Sequence, residues 1–328
     1  MMHDLRHCGP VGRRALLAGG VAALATPAWA QCPDFLPPGA VCGDTRFAFV
    51  EAEHDARKRL IARARQQGLL GSRAQLFDIT VPAEAHGIPG VQHPLPLLRV
   101  VFPTVSFYTT GGMEPTRAGG QAIVLMADTL ASSPPDAALF VVGHADSRGA
   151  ADMNRSLAYA RAGAAARRVS RRAPNAQVFE VSAGEDVPIA SNTTADGRAR
   201  NRRLEFLFAP HPNVALAWLA RHAPDTCGTE SVGLAECTAL SLPARRVTPQ
   251  DSQPDPGTPG TDLRSADTPV EADADTAHPD LPLGEPRRGL RIIDVTPQTP
   301  EAYTFAPSES FIIQRRGQAP RVTESREF

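Results

Sequence analysis

Long apolar runs and aromatic residues are scarce in this chain of 328 residues. Phe, Trp and Tyr together make up 5% of the residues. The apolar stretch from Ala15 to Ala30 has 16 residues and contains a proline, whereas a membrane-spanning helix needs about 20 consecutive apolar residues. We therefore expect no membrane span in the mature chain.

An excess of charge of one sign is also lacking, because 34 Lys and Arg residues stand against 35 Asp and Glu residues. Domains that bind nucleic acid usually carry a strongly basic surface, so the near-zero net charge argues against a nucleic-acid partner. The sequence contains no G-x-S-x-G, H-E-x-x-H or phosphate-loop motif. His144, Asp146 and Ser147 share one turn and cannot form a nucleophile–base–orienter relay. We predict that the protein is not an enzyme and needs no cofactor.

The amino terminus has the layout of a secretory signal. Arg13 and Arg14 precede the apolar run, and residues 28–30, Ala-Trp-Ala, have the form of a cleavage site. The arginine pair leaves both the general secretory route and the twin-arginine route open. A retained membrane anchor is the alternative to cleavage.

Cysteine is rare, and four of the five cysteines remain once residues 1–30 are removed. An even number in an exported chain favours disulfides, and four cysteines allow three connectivities. We favour the two local pairs, Cys32 with Cys42 and Cys227 with Cys237, because each pair encloses nine residues. A metal site is the weaker alternative, since no C-x-x-C or nearby His supports it. The residues before Cys32 do not resemble a lipobox, so we do not expect lipid attachment.

Strand and helix patterns alternate in the middle of the chain. Strand patterns lie at 97–102, 138–142, 178–181 and 203–208, and helix patterns lie at 114–130 and 152–172. This order predicts an α/β sandwich in which helices pack on a sheet. Residues 31–97 form an amino-terminal flanking region with one helix at 47–70, and prolines limit regular structure over 72–97.

Proline is abundant, with 31 residues, and it is concentrated in residues 247–286. That segment carries nine acidic side chains against one Arg and is predicted to be a disordered linker. Residues 211–246 are predicted to hold a short helix and the second cysteine pair. In residues 287–328, strand patterns lie at 290–295 and 310–314. Two strands are marginal alone, so we expect them to pack on the rest of the chain or on a partner.

The stretch from residue 143 to residue 205 contains the candidate binding residues. Asp146 lies in a Gly-rich turn after an apolar strand, and Asn154, Leu157 and Arg161 fill an N-x-x-L-x-x-x-R pattern on the next helix. Asn154 and Arg161 share one helix stripe, roughly 10 Å apart. A carboxylate accepts from an ammonium group, a guanidinium pairs with a carboxylate, and an amide can serve either. These three residue types predict a zwitterionic ligand, the free end of an amino acid.

Three motifs together resemble the OmpA-like peptidoglycan-binding domain family. They are GHADxxG at 143–149, NxxLxxxRA at 154–162 and GRARNRRLE at 197–205, and the resemblance covers residues 98–210. It implies an α+β fold, a two-layer α/β sandwich whose mixed sheet has helices on one face. It also implies that Asp146 and Arg161 hold the diaminopimelate of the peptidoglycan stem peptide. Asn154, Leu157 and Arg202 complete the predicted site.

The chain departs from the family pattern after the first strand of the domain. The family has an acidic residue in the turn there, whereas residues 106–112 contain none. One ligand contact is therefore either absent or made by Thr109 or Thr110. Asn201, Arg202 and Arg203 have two readings that the sequence leaves open, a structural role and contact with the ligand.

The resemblance implies non-covalent binding to peptidoglycan by an exported protein. We expect it in the periplasm of a Gram-negative bacterium and leave association with the outer membrane open. One alternative is an envelope adaptor whose flanking segments bind another protein. The other is a wall-processing enzyme that uses this domain for targeting.

Overall fold

Nine β-strands form one mixed sheet in the computed structural model, which describes residues 48–70, 74–109, 112–222, 242–251, 291–294, 303–314 and 323–327. The strands are β1 (Gln75–Val81), β2 (Leu95–Pro103), β3 (Ala138–His144), β4 (Gln177–Gly184), β5 (Arg203–Ala209), β6 (Leu242–Val247), β7 (Arg291–Asp294), β8 (Ser310–Gln314) and β9 (Thr323–Glu327). Their spatial order is β7-β8-β6-β4-β3-β5-β2-β1-β9. The pairs β3–β4 and β7–β8 are parallel, and the other neighbouring pairs are antiparallel.

Helices cover both faces of this sheet. They are α1 (Ala48–Gln66), α2 (Ala83–His86), α3 (Thr104–Phe107), α4 (Arg117–Ala131), α5 (Ala151–Arg172), α6 (Ala195–Asn201) and α7 (Pro212–Ala220). The three long helices, α1, α4 and α5, share one apolar core with the sheet. The short helix α7 packs in a second core on the opposite face. The expectation of helices on one face therefore holds for the long helices, and α7 adds a third layer.

The two cores follow from the alternation of side chains along each strand. On β3, Leu139 and Val141 belong to the core beneath α4 and α5, whereas Phe140 belongs to the core beneath α7. Phe140 stacks on Phe179 of β4 with ring centroids 4.3 Å apart. Every residue of α7 is buried, which explains why this helix has little amphipathic character.

Small residues bring α5 close to β3. A Cβ atom at Gly143 would lie 2.0 Å from the carbonyl oxygen of Ala158, so only glycine fits there. The turn that follows β3 contains Gly149, whose φ of +91° lies in the left-handed region that favours glycine. The close packing and the turn together place Asp146 beside the first turns of α5.

The mixed α/β fold and its main elements confirm the prediction, with small shifts at the boundaries. The helix predicted from residue 114 begins at Arg117, because the Thr116 side chain caps it by accepting from Gly119 N at 3.1 Å. The helix predicted at 152–172 is α5, and the strand predicted at 203–208 is β5.

Three strands were not predicted from the sequence, and one of them is β9, which pairs with β1. We predicted little regular structure over 72–97, but β1 lies there and ends directly before Pro82. No strand was predicted over 242–247, where β6 pairs with β4 and β8, and its last residue Val247 was assigned to the linker. β6 and β9 take their hydrogen bonds from segments distant in sequence, and sequence periodicity does not reveal such pairing. β1 pairs with the nearby β2 as well as with the distant β9.

The strands predicted at 290–295 and 310–314 are β7 and β8, which join the sheet through β6. The signal peptide, the four candidate disulfide cysteines, Thr110 and most of the predicted linker lie outside the described residues. Among the helices that the structure describes, none has the length and apolar character to cross a membrane.

Candidate ligand-binding site

Asp146 lies just beyond the end of β3, and it is buried although residues 147–150, which follow it in the turn, are exposed. Its Oδ1 accepts from the backbone N of Arg148 at 3.1 Å. Its Oδ2 accepts from Arg148 Nε at 3.2 Å and from Arg202 Nη1 at 2.5 Å. The carboxylate of Asp146 therefore faces two guanidinium groups.

Asn154 holds the turn that carries Asp146. Its Nδ2 lies 3.0 Å from the carbonyl oxygen of Asp146 and 2.9 Å from that of Arg148. The same nitrogen lies 2.6 Å from Oε2 of Glu185, which follows β4. The amide thus joins the first turn of α5 to two loops. Contact between Asn154 and a ligand remains a prediction.

Arg161 lies about two turns further along α5 than Asn154. The residue is buried, and its backbone carbonyl accepts from the Tyr108 hydroxyl at 2.5 Å. Burial raises the pKa of Tyr108 although the charges of Arg168 and Arg161 oppose that effect, so this hydroxyl stays a neutral donor. Leu157, which lies between Asn154 and Arg161 in sequence, is buried as well.

The three residues Asn201, Arg202 and Arg203 have different partners. Asn201 Oδ1 accepts from the backbone N of Ile189 at 2.9 Å, so Asn201 fixes the loop between β4 and α6. Arg203 Nε donates to Glu205 Oε1 at 2.6 Å. Arg202 is the member of the three that reaches Asp146. Asn201 and Arg203 therefore have structural roles, whereas Arg202 belongs to the candidate site.

A buried charge cluster lies next to the site, and the sequence predictions missed it. Glu205 is fully buried and accepts from Arg99 Nε at 2.8 Å and from Arg99 Nη2 at 2.7 Å. Burial alone would raise the pKa of Glu205, but Arg203 and Arg99 outweigh burial and hold this pKa well below its usual value. The cluster joins β2 to β5, and His144 Nε2 at the end of β3 lies 3.4 Å from Glu205 Oε1. It therefore ties together the strands that support the Asp146 turn.

The region that lacks the family's acidic residue is described only in part. Thr109 is exposed, and its backbone N donates to the carbonyl oxygen of Glu114 at 2.8 Å. A ligand contact by Thr109 or Thr110 remains a prediction. Among the residues the structure describes, no group of three or more His, Cys, Asp or Glu side chains is placed to hold a metal ion.

Two contact residues in the site, Arg148 and Glu185, were not predicted. Arg148 follows Asp146 by two positions, and its place in the Gly-rich turn was the available signal. Glu185 is 31 residues from Asn154, and no local pattern connects these two residues.

Comparisons with known proteins support the resemblance seen in the motifs. A model of the OmpA family matches residues 107–202. The probable lipoprotein YiaD of Escherichia coli (strain K12) is 38% identical over 77 residues, which are 23% of this chain and 35% of YiaD. The chain thus matches about a third of the length of this curated relative.

The solved structures to which this chain is similar are more distant in sequence. The cell wall anchor of the T6SS from Pseudomonas aeruginosa is 20% identical with a TM-score of 0.34, over 46% of this chain and 94% of that chain. The peptidoglycan-associated lipoprotein from Burkholderia pseudomallei is 25% identical with a TM-score of 0.29, over 31% of this chain and 86% of that chain. The family match includes Asp146, Asn154, Arg161 and Arg202. Residues 107–202 of this chain are a domain of the OmpA family.

Proposed function

We propose that this protein binds peptidoglycan non-covalently and thereby tethers an exported envelope protein to the cell wall. The ligand in this proposal is the free amino acid end of diaminopimelate in the stem peptide. The observation that carries the proposal is the buried Asp146 carboxylate, which lies at the end of β3 between α5 and the Arg202 guanidinium. The match of residues 107–202 to the OmpA family supports it.

The charges of the site fit both ends of a zwitterion. The Asp146 carboxylate accepts hydrogen bonds from the ligand's ammonium group. The Arg161 guanidinium on α5 pairs with the ligand's carboxylate, for which its planar fork is suited. Each charge-assisted hydrogen bond contributes about 1.5 to 3 kcal/mol. Two or three such bonds give a reversible tether.

The same proposal gives the location of the protein and its partner. Peptidoglycan is the partner, and the periplasm of a Gram-negative bacterium is the compartment in which the chain meets it. Contact of the flanking segments with a second envelope protein is compatible with this tether. Wall binding needs no catalytic group, and we assign none.

Co-sedimentation of the full chain with purified peptidoglycan sacculi tests the proposal. The variants are Asp146→Asn, which removes the charge at constant shape, and Arg161→Ala. We expect each variant to raise the apparent Kd at least about tenfold, because each removes charge-assisted bonds of about 1.5 to 3 kcal/mol.

Asp152→Asn and Arg171→Ala are matched controls, because both residues are exposed on α5. We expect both controls to sediment with sacculi as the unmodified chain does. Equal sedimentation of Asp146→Asn, Arg161→Ala and the unmodified chain would show that the site is assigned wrongly. An unmodified chain that stays in the supernatant would refute the function itself.

A further inference from the structure

We infer that Arg148 selects ligands whose amine has a carboxylate on the same carbon. It does so by giving up its position on Asp146 to the incoming ammonium group and then binding the ligand's carboxylate alongside Arg161, since one carboxylate has about four acceptor positions. This inference rests on the proposed function and adds to it a residue that determines specificity.

The backbone of Arg148 is fixed, whereas its side chain is accessible. Its N donates to Asp146 Oδ1, and its carbonyl oxygen accepts from Asn154 Nδ2 at 2.9 Å. The side chain is 47% exposed. The guanidinium can therefore change partners while the turn keeps its shape.

The two guanidinium groups on Asp146 are held unequally. Arg202 Nη1 lies 2.5 Å from Oδ2, and its side chain is 23% exposed. Arg148 Nε lies 3.2 Å from the same oxygen and is about twice as exposed. Exposed ion pairs contribute little because water competes for both partners. Arg148 is therefore the group that an incoming ammonium displaces, and Arg202 keeps Asp146 in place.

Displacement of Arg148 has opposite consequences for two classes of ligand. In an amino acid end, the carboxylate is bonded to the carbon that carries the amine, so it arrives beside the displaced guanidinium. The guanidinium then exchanges one carboxylate for another and can bind the new one through two parallel hydrogen bonds. A simple amine displaces Arg148 and offers it no carboxylate. The site therefore favours the amino acid end over the simple amine.

Two tripeptides that differ by one side-chain carboxylate represent the amino acid end and the simple amine. They are L-alanyl-γ-D-glutamyl-meso-diaminopimelate, whose free side-chain end has an amine and a carboxylate, and the same peptide with L-lysine, whose side-chain end has the amine alone. Calorimetric titration of the full chain with each peptide gives two Kd values and their ratio. We expect Arg148→Ala to lower the preference for the diaminopimelate peptide about tenfold, because one charge-assisted pair is lost.

Arg148→Lys and Arg200→Ala complete the experiment. Lysine keeps the charge without the fork, so we expect it to restore part of the preference. Arg200 is exposed on α6 and serves as the control for loss of a surface charge. An Arg148→Ala chain that weakens both peptides equally, or changes neither, overturns the inference while the proposed function stands. An unmodified chain that binds neither peptide refutes the proposed function and this inference with it.

Discussion

At the scale of single residues, Glu205 determines how firmly the site is supported. Its carboxylate is fully buried and accepts from Arg99 of β2 and from Arg203 of its own strand. The Arg99 guanidinium also lies 5.0 Å from the ring centroid of Trp218 on α7. One acidic side chain thus balances two buried guanidinium groups between the sheet and the third layer.

Glu205→Gln removes this charge at nearly constant volume and leaves both guanidinium groups buried. Breaking a buried pair from one side costs about 3 to 5 kcal/mol. We expect the free energy of unfolding to fall by about that amount, measured by urea denaturation at neutral pH.

Asp186→Asn is the matched control for Glu205→Gln. Asp186 Oδ2 accepts from Arg155 Nη1 at 2.8 Å, but the Asp186 side chain is 40% exposed. The loss expected for an exposed pair is about 0 to 1 kcal/mol. Equal destabilisation by the two variants would contradict the role given to the buried cluster.

The family resemblance, together with the spacing of residues on one helix, predicted part of the site. Asp146 and Arg202 were predicted to share a pocket, and the two side chains are in direct contact. Asn154 was predicted to assist the ligand, whereas the structure shows its contacts with the turn and with Glu185. The contact with Glu185 depends on how the loop after β4 approaches α5, and the spacing of residues along one helix contains no such information.

At the scale of secondary-structure elements, α7 depends on a histidine cap. His211 Nδ1 accepts from the backbone N of Asn213 at 3.1 Å, so the ring must be neutral at that nitrogen. Burial lowers the pKa of His211, with Asp136 opposing and His86 reinforcing this shift. Burial also lowers the pKa of His86 on α2, which packs against α7. The junction of α2 and α7 is therefore built from neutral histidines.

These histidines give the fold a defined dependence on pH. The unfolded chain takes up protons near the ordinary histidine pKa of 6.5, and the folded chain does so at lower pH. The stability that these two histidines contribute is thus complete above pH 6.5, and it is lost as the pH falls through 6.5 toward their folded pKa values. The variant His211→Asn supplies a cap without a titrating group. Between pH 7.5 and pH 5.5 we expect its free energy of unfolding to fall by about 1 kcal/mol less than that of the unmodified chain.

Urea denaturation at pH 7.5 and at pH 5.5 measures this difference. Because His86 keeps its own lowered pKa, the variant should retain part of the pH dependence. If the variant and the unmodified chain lost the same free energy of unfolding between these pH values, the His211 cap would not be a source of acid sensitivity.

Periodicity in the sequence predicted the elements whose pattern is local. The alanine stripe of α5 and the apolar residues of β3 and β5 follow directly from helix and strand spacing. The strands β1 and β6 could not be predicted in this way, because Pro82 and Pro243 interrupt or adjoin them. Their stability comes from pairing with β2, β4 and β8.

At the scale of the whole molecule, one sheet extends beyond the family domain on both sides. The family match ends at residue 202, whereas β7 and β8 lie at one edge of the sheet and β9 lies at the other. The central strand is β3, with four strands on each side. The Asp146 turn therefore follows the strand that is furthest from both edges of the sheet.

The central claim is that this turn binds the diaminopimelate end of peptidoglycan. The most direct measurement is co-sedimentation of the full chain with sacculi while the diaminopimelate tripeptide is added at increasing concentration. We predict that the tripeptide releases the chain into the supernatant, and that the lysine tripeptide does so only at much higher concentration. A sedimented fraction that stays constant up to saturating diaminopimelate tripeptide would contradict the account.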